Sequence, residues 1–282
     1  MSDLVPALRA QSGPVDLSAI ATDATPGFSG KKHEGIDALE ALGPDLADLQ
    51  ERLFAHGRSG GHRSLLLVLQ GMDTSGKGGT LRSTVGLIDP QGVRITSFKA
   101  PTPEELEHDF LWRIRKALPG PGYVGVFDRS HYEDVLIARV RGLAKPEEIE
   151  RRYDAINSFE EELVEHGTVV LKCMLHISAE EQKERLLARL DDPTKHWKYN
   201  PGDIDEREHW PAYQEAYELA IERTHTDAAP WYVIPADRKW YRNLAIGHLL
   251  LDALSSFQLG WPAADFDVEH EKRRLAEEDP LS

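Results

Sequence analysis

Ten consecutive residues, Gly71-Met72-Asp73-Thr74-Ser75-Gly76-Lys77-Gly78-Gly79-Thr80, hold the densest chemistry in the chain. Glycines permit positive φ and let successive backbone N–H groups point at one anion. Lys77 adds a mobile full charge. The spacing G-x-x-x-x-G-K is that of a phosphate cradle, with Gly71, Thr74, Ser75, Gly76, Gly78, Gly79 and Thr80 as its candidate phosphate-binding residues. The pattern departs at Gly78, where a Ser or Thr ordinarily gives Mg²⁺ a hydroxyl ligand. Asp73 is the second departure. A carboxylate about 4 Å from a phosphate charge costs roughly 4 kcal/mol in a partly buried site unless a divalent cation lies between them. Asp73 is therefore read as a metal ligand that makes up for the lost hydroxyl; the alternative is a turn-capping carboxylate.

A second cluster follows the apolar run Tyr123-Val124-Gly125-Val126-Phe127. Asp128 ends that run, at the edge where open α/β sheets bind ligands. An acid there is a second candidate for Mg²⁺, with capping of the next helix by Asp128 or Ser130 as the alternative. Arg129 is placed to neutralise charge on a transferring group. His131, Tyr132, Glu133 and Asp134 come next as candidates for the nucleotide side. His131 suits Mg²⁺ poorly, because that ion prefers oxygen. Further on, Arg185 and Arg189 share a helix face, and Lys195, Trp197 and Lys198 lie just beyond. This set reads as a lid that brings cations over phosphates and excludes water; a solvated helix face is the bland alternative.

Such residues need a frame. Leu65 to Leu69 is a continuous apolar run with a glycine-rich exit, as in a buried parallel strand. Val93–Phe98, Tyr123–Phe127, Val169–Ile177 and Trp231–Ile234 read as further strands. Helices are expected over Ile36–Ala55, Thr80–Ile88, Pro103–Leu118, His131–Val140, Glu147–His166, from Ser178 onward, Glu206–Arg223 and Trp240–Phe257. Pro146 and Gly167 bracket the fifth of these as helix ends prefer. Asp191–Asp205 is expected to be a loop. Strands alternating with helices predict an α/β fold, a parallel sheet with helices on both faces. Residues 1–35 read as a loosely ordered arm, 36–260 as one domain with a helical lid at about 185–210, and 261–282 as an acidic tail.

Composition narrows the class. The 282 residues carry a formal charge of −15, which argues against general nucleic-acid binding. The charge is uneven: Arg63 to Lys99 is net +3, and Pro262 to Ser282 is net −4. The single cysteine, Cys173, sits in an apolar run and fits a core position and a reducing compartment. No secretory h-region precedes Gly30, and no apolar stretch reaches the ~18–20 residues of a membrane span. A cytoplasmic protein without membrane partners is expected.

Four stretches together resemble the polyphosphate kinase 2 family: residues 71–80; Asp128-Arg129-Ser130-His131-Tyr132-Glu133-Asp134; Arg185 through Arg189 to Lys195-His196-Trp197-Lys198; and Ala229-Pro230-Trp231-Tyr232-Val233-Ile234-Pro235-Ala236-Asp237. The Gly after the loop lysine is itself a family trait. The resemblance implies a three-layer α/β/α sandwich of the P-loop, thymidylate-kinase-like type. It implies Mg²⁺ (or Mn²⁺) on Asp73 and Asp128, Lys77 on phosphate, and Arg129 and Arg189 on the transferred group. It also implies Arg185, Lys195 and Lys198 as phosphate contacts, and a homodimer or homotetramer. The partners would be inorganic polyphosphate, along a basic channel suited to the +3 stretch, and an adenine or guanine nucleotide. His-Tyr-Glu-Asp in the second motif resembles the subgroup that accepts AMP as well as ADP. An ATP-dependent nucleoside or nucleotide kinase would use the same loop and lid. A non-catalytic P-loop regulator would need fewer of these charged residues.

Overall fold

A segment apolar on both faces is stable only when both faces are covered. In the computed structural model, which describes residues 3–278, the first apolar run becomes β1 (Ser64–Gln70), buried along its whole length. It is the central strand of a five-stranded sheet with β2 (Val93–Ser97), β3 (Val124–Asp128), β4 (Thr168–His176) and β5 (Trp231–Pro235). The order is β2-β3-β1-β4-β5 and every pairing is parallel. Leu69 stands opposite Asp128 on one side and Cys173 on the other. The C-terminal ends of β1 and β3 therefore open at one edge, just before residues 71–80.

Each face of the sheet has its own core. Leu65, Leu67, Leu69, Val126, Cys173 and Ile234 pack with the helices Lys32–Arg58 and Lys239–Ser256. Leu66, Val68, Phe127, Met174 and Trp231 pack with the helices Pro146–Glu165 and Trp210–Thr224. The result is the expected α/β architecture with helices on both sides. Cys173 is fully buried, and burial pushes its thiol well above the usual range, as for an inert core residue.

Several local expectations are corrected. Residues 103–118 are two short helices, Pro103–Leu106 and Trp112–Ala117. The first is closed by a Thr102–Glu105 capping box, and the Asp109 carboxylate accepts from Leu111 N between the two. Leu106 is exposed, so the apolar residues of 103–118 do not share one buried face. Residues 131–140 likewise split into a 3₁₀ turn, His131–Asp134, and a short helix, Ile137–Val140. Residues 191–205 contain a 3₁₀ stretch, Pro193–Lys198, and most of the helix Gly202–Arg207. The tail carries an exposed helix, Val268–Glu277; Asp279 to Ser282, like Met1 and Ser2, lie outside the described residues.

The arm is the largest correction. It is not loose. Leu4 and Leu8 are buried with one core and Leu17 with the other, so the segment wraps the β5 edge. Arg9 bridges Tyr232 in antiparallel sense, and Ala10 N donates to Trp231 O at 2.9 Å. Leu17 N donates to Glu218 at 2.8 Å, and Tyr241 Oη donates to Pro26 O at 2.6 Å. Three buried leucines and these bonds offset the ordering entropy that the Pro- and Ser-containing composition suggested would win.

Candidate active site

The loop after β1 leads into the helix Lys77–Ser83, with Gly76 at φ +112° as its N-cap. Thr74 (φ +61°) and Arg129 (φ +64°) are held in the left-handed region, which ordinary side chains rarely adopt. Such strain costs about 1–3 kcal/mol each and collects at ligand sites. Here the two strained residues flank one ion pair: Arg129 Nη2 donates to Asp73 Oδ1 at 2.5 Å. Glu133 lies 3.9 Å from the same guanidinium. Burial alone would lower the Arg129 pKa; Glu133 and Asp73 reverse that and hold it above the usual arginine range.

Lys77 is buried and turned onto its own loop, donating to Gly71 O at 2.8 Å and more weakly to Met72 O at 3.5 Å. Burial and then Arg129 push its pKa down, while Asp73, Asp128 and Glu133 oppose this. Those four groups and Lys77 therefore share one electrostatic neighbourhood. Glu133 is pushed up by burial, against Arg129 and Lys77. Around the loop, the hydroxyls of Thr74, Ser75 and Thr80 are buried with no partner. Three hydroxyls in one phosphate-type loop thus have bonding capacity that no protein group takes up, which a water or a bound oxyanion can use.

Two cavities open on either side of the Asp73–Thr74 segment. One, of about 220 Å³, is lined by Asp73, Arg129, Glu133, Asp203, Tyr213 and Tyr217, among others. Asn200 to Glu206 form its roof. Glu206 is fixed by Arg141 Nη2 at 2.7 Å and by Tyr213 Oη at 2.7 Å. Burial and then Asp73 push Asp203 up, so this roof presents a carboxylate to the loop. The other cavity, of about 390 Å³, is lined by Thr74, Arg185, Arg189, Lys195, Lys198 and Lys239, with Glu181 and Glu184. Arg63, Arg82, Arg94 and Lys99 line neither cavity; the cations of the second are Arg185, Arg189, Lys195, Lys198 and Lys239, which lie outside the +3 stretch.

Not every expected residue reaches the site. Arg185 lines the second cavity, yet its five N–H groups are committed. Nε bonds Glu181, Nη1 bonds Thr74 O and Ser75 O, and Nη2 bonds Ala236 O and Asp237 O, all at 2.7–3.0 Å. It clamps the loop and has no donor left for phosphate. His131 and Tyr132 do not face a nucleotide: both are fully buried and bond Glu160. Asp134 turns to Arg113 and Arg152 at 3.7 and 3.6 Å. Glu133 alone of that quartet lines the cavity. Arg189 donates to Lys198 O at 3.1 Å and lies 3.7 Å from Asp203. Lys195 pairs with Asp192, and Lys198 stacks on the exposed Trp197.

Sequence reading missed Arg242. It is buried on the first turn of the helix Lys239–Ser256, donates to Ser75 O at 3.2 Å and to Asn243 Oδ1, and lies against Gly76 and Gly79. Burial, then Arg185, lower its pKa to about 10. A cation opposes the dipole at a helix N-terminus, and that conflict was the available signal. Gln182, which donates to Asp73 O at 2.8 Å, gave none.

Comparison with known proteins agrees with this geometry. Residues 29–259 match the family described as polyphosphate kinase 2. The chain is 44% identical over 250 residues to the AMP/ADP-polyphosphate phosphotransferase of Meiothermus ruber, covering 89% of this chain and 92% of that one. It is 37% identical over 260 residues to the ADP-polyphosphate phosphotransferase of Rhodopseudomonas palustris, covering 88% of each. Among solved structures, polyphosphate kinase 2 from Arthrobacter aurescens TC1 superposes with a TM-score of 0.95 at 55% identity, over 98% of this chain and 97% of that one.

Proposed function

The chain belongs to the polyphosphate kinase 2 family, and from that premise we propose that it transfers a phosphoryl group reversibly between inorganic polyphosphate and adenine nucleotides, accepting AMP as well as ADP. The observation that carries the reading is the pair of cavities lined by two adjacent loop residues, Asp73 in one and Thr74 in the other. A polyanion suits the side with Arg189, Lys195, Lys198 and Lys239. The nucleotide enters the side roofed by Asn200–Glu206. At about 220 Å³ that side is smaller than the ~300–1,000 Å³ of ordinary ligand pockets, so the roof lifts for entry. Residues 36–260 act as the phosphotransferase unit and 185–210 as its lid.

Lys77 exchanges the Gly71 and Met72 carbonyls for phosphate oxygens when substrate arrives. Arg129, released from Asp73, turns to the transferred group, and Arg189 meets it from the lid. Closure keeps water from a donor it would hydrolyse. Asp73 and Asp128 would hold Mg²⁺, or Mn²⁺ in its place. Among the described residues no group of three or more His, Cys, Asp or Glu could hold a metal alone. The fit is nonetheless good, because Mg²⁺ normally takes one or two carboxylates and completes its shell with phosphate and water oxygens. The bound ion would neutralise charge on the bridging phosphates.

No helix among the described residues is long and apolar enough to cross a membrane, and a reducing, cytoplasmic setting fits the buried, unpaired Cys173; a homodimer or homotetramer rests on the family resemblance alone. The test is purified protein with polyphosphate and each of AMP, ADP, GMP and GDP, without ATP. ADP and then ATP should form from AMP. Transfer only from ATP, or none at all, overturns the reading.

A further inference from the structure

Beneath the second motif lies a polar cluster sealed from solvent. Lys172 of β4 is fully buried and donates to Glu160 Oε2 at 2.6 Å, Thr224 O at 2.7 Å and Tyr132 Oη at 3.0 Å. Its three protons are thereby all used. Tyr132 Oη donates to Glu160 Oε1 at 2.8 Å, and His131 Nε2 meets the same oxygen at 3.2 Å. Thr224 Oγ1 accepts from Trp231 Nε1 at 2.8 Å. The Lys172–Glu160 pair is costly as a stabiliser, because burying two charges is often no better than an apolar pair of similar size. What it does supply is position.

The cluster joins two walls of the smaller cavity. His131 and Tyr132 come two and three residues after Arg129, whose left-handed backbone leaves Arg129 N donating to Leu69 O at 3.0 Å. Ser130 Oγ accepts from Tyr132 N and donates to the side-chain oxygen of Gln70. Thr224 ends the helix Trp210–Thr224, which presents Tyr217 and Tyr213 to the cavity about two and three turns earlier. One ion pair thus fixes both the loop that carries Arg129 and the helix that faces it.

We infer that Lys172 and Glu160 are positioning residues for phosphoryl transfer, holding the Arg129 loop and the Trp210–Thr224 helix in register across the cavity. This rests on the proposed function for its kinetic consequence only. Arg129 acts on the transferred group, so misplacing it lowers kcat while leaving the cation-lined cavity and the KM for polyphosphate intact.

The test is the double variant Lys172→Met/Glu160→Leu, which replaces the pair with apolar groups of similar size. A cooperative unfolding transition at or above the wild-type Tm, kcat reduced at least tenfold and KM for polyphosphate within about twofold support the inference. Wild-type kcat in the folded variant overturns it. So does a fall in Tm matched by a parallel loss of kcat and of polyphosphate binding, which is what a merely structural pair gives. Should the double variant not fold, Tyr132→Phe decides: it keeps the ring and the ion pair, and a lower kcat at unchanged Tm supports the inference while an unchanged kcat overturns it. Hydrogen exchange separates this from failure of the functional reading. The Arg129 amide should lose protection in the variants even if the wild-type protein proves inactive with polyphosphate; unchanged protection there overturns the positioning role.

Discussion

Arg129 and Asp73 neutralise each other across the phosphate loop at 2.5 Å, so while the pair lasts neither charge is available to another partner. On the proposed reading, a cation arriving at Asp73 would free Arg129, and a phosphate arriving at Arg129 would free Asp73. The pair keeps both side chains in place, 36% and 28% exposed, at little energetic gain of its own.

Asp73→Asn should therefore do two things. It should lower kcat by about 10²–10³-fold, the scale of losing one preorganised electrostatic contact. It should also raise the Mg²⁺ concentration needed for half-maximal rate. EDTA should abolish transfer by the wild-type protein, and Mg²⁺ or Mn²⁺ should restore it. An unchanged metal requirement in Asp73→Asn would remove Asp73 from the proposed metal site.

Arg185 and Arg189 should separate cleanly. Arg185→Ala strands Glu181 and four backbone carbonyls, a loss on the order of 3 kcal/mol. For a chain of this size that lowers Tm by roughly 5–10 °C. Arg189→Ala breaks only partly exposed contacts and should leave Tm within about 2 °C while reducing kcat at least tenfold. Thermal melts with a transfer assay distinguish the two; equal loss of Tm in both would refute the clamp.

Neighbouring glycines should respond in opposite ways. A Cβ on Gly76 would fall 1.7 Å from Arg242 Nη1, at a φ of +112°. Gly76→Ala should cost at least ~2 kcal/mol and most of the activity. A Cβ on Gly78 meets nothing within 4 Å. Gly78→Ala should keep the fold and gain up to ~0.5 kcal/mol from helix propensity, read as a higher denaturation midpoint.

Acid should loosen the arm. Burial holds His176 below its ordinary value of 6.5, although the Leu17 and Ile20 carbonyls pull the other way. The unfolded chain then binds more protons than the folded one between the two pKa values, so stability falls as pH drops below about 6.5. His225 and His248 are lowered by burial too and add to the slope. Tm measured from pH 7.5 to 5.5 should decline, and less steeply in His176→Gln. An identical slope in that variant would acquit His176.

The phosphate loop was legible because its information is contiguous: a strand, a glycine-lysine pattern and a helix, all local in sequence. The strands were legible for the same reason, through β-type apolar runs. What escaped was tertiary. Helical spacing places Arg185 and Arg189 on one face but cannot say that the first meets four carbonyls and the second the carbonyl of Lys198. His131 and Tyr132 look like site residues beside Asp128, yet the left-handed Arg129 turns the chain so that they sink into the core. Arg242 lies 167 residues from Ser75, which it bonds. The arm was misread because composition counts prolines and serines, while three leucines decide its fate.

That arm has a practical corollary. The family match begins at residue 29, but residues 9 and 10 already cover the outer border of β5. A version trimmed to the matched region would leave Trp231 O without its partner and the strand's backbone open to edge-to-edge association with other copies. Such a shortened protein could keep every catalytic group and still be lost to aggregation, so boundaries for crystallisation or for immobilised catalysts are better drawn before Leu4.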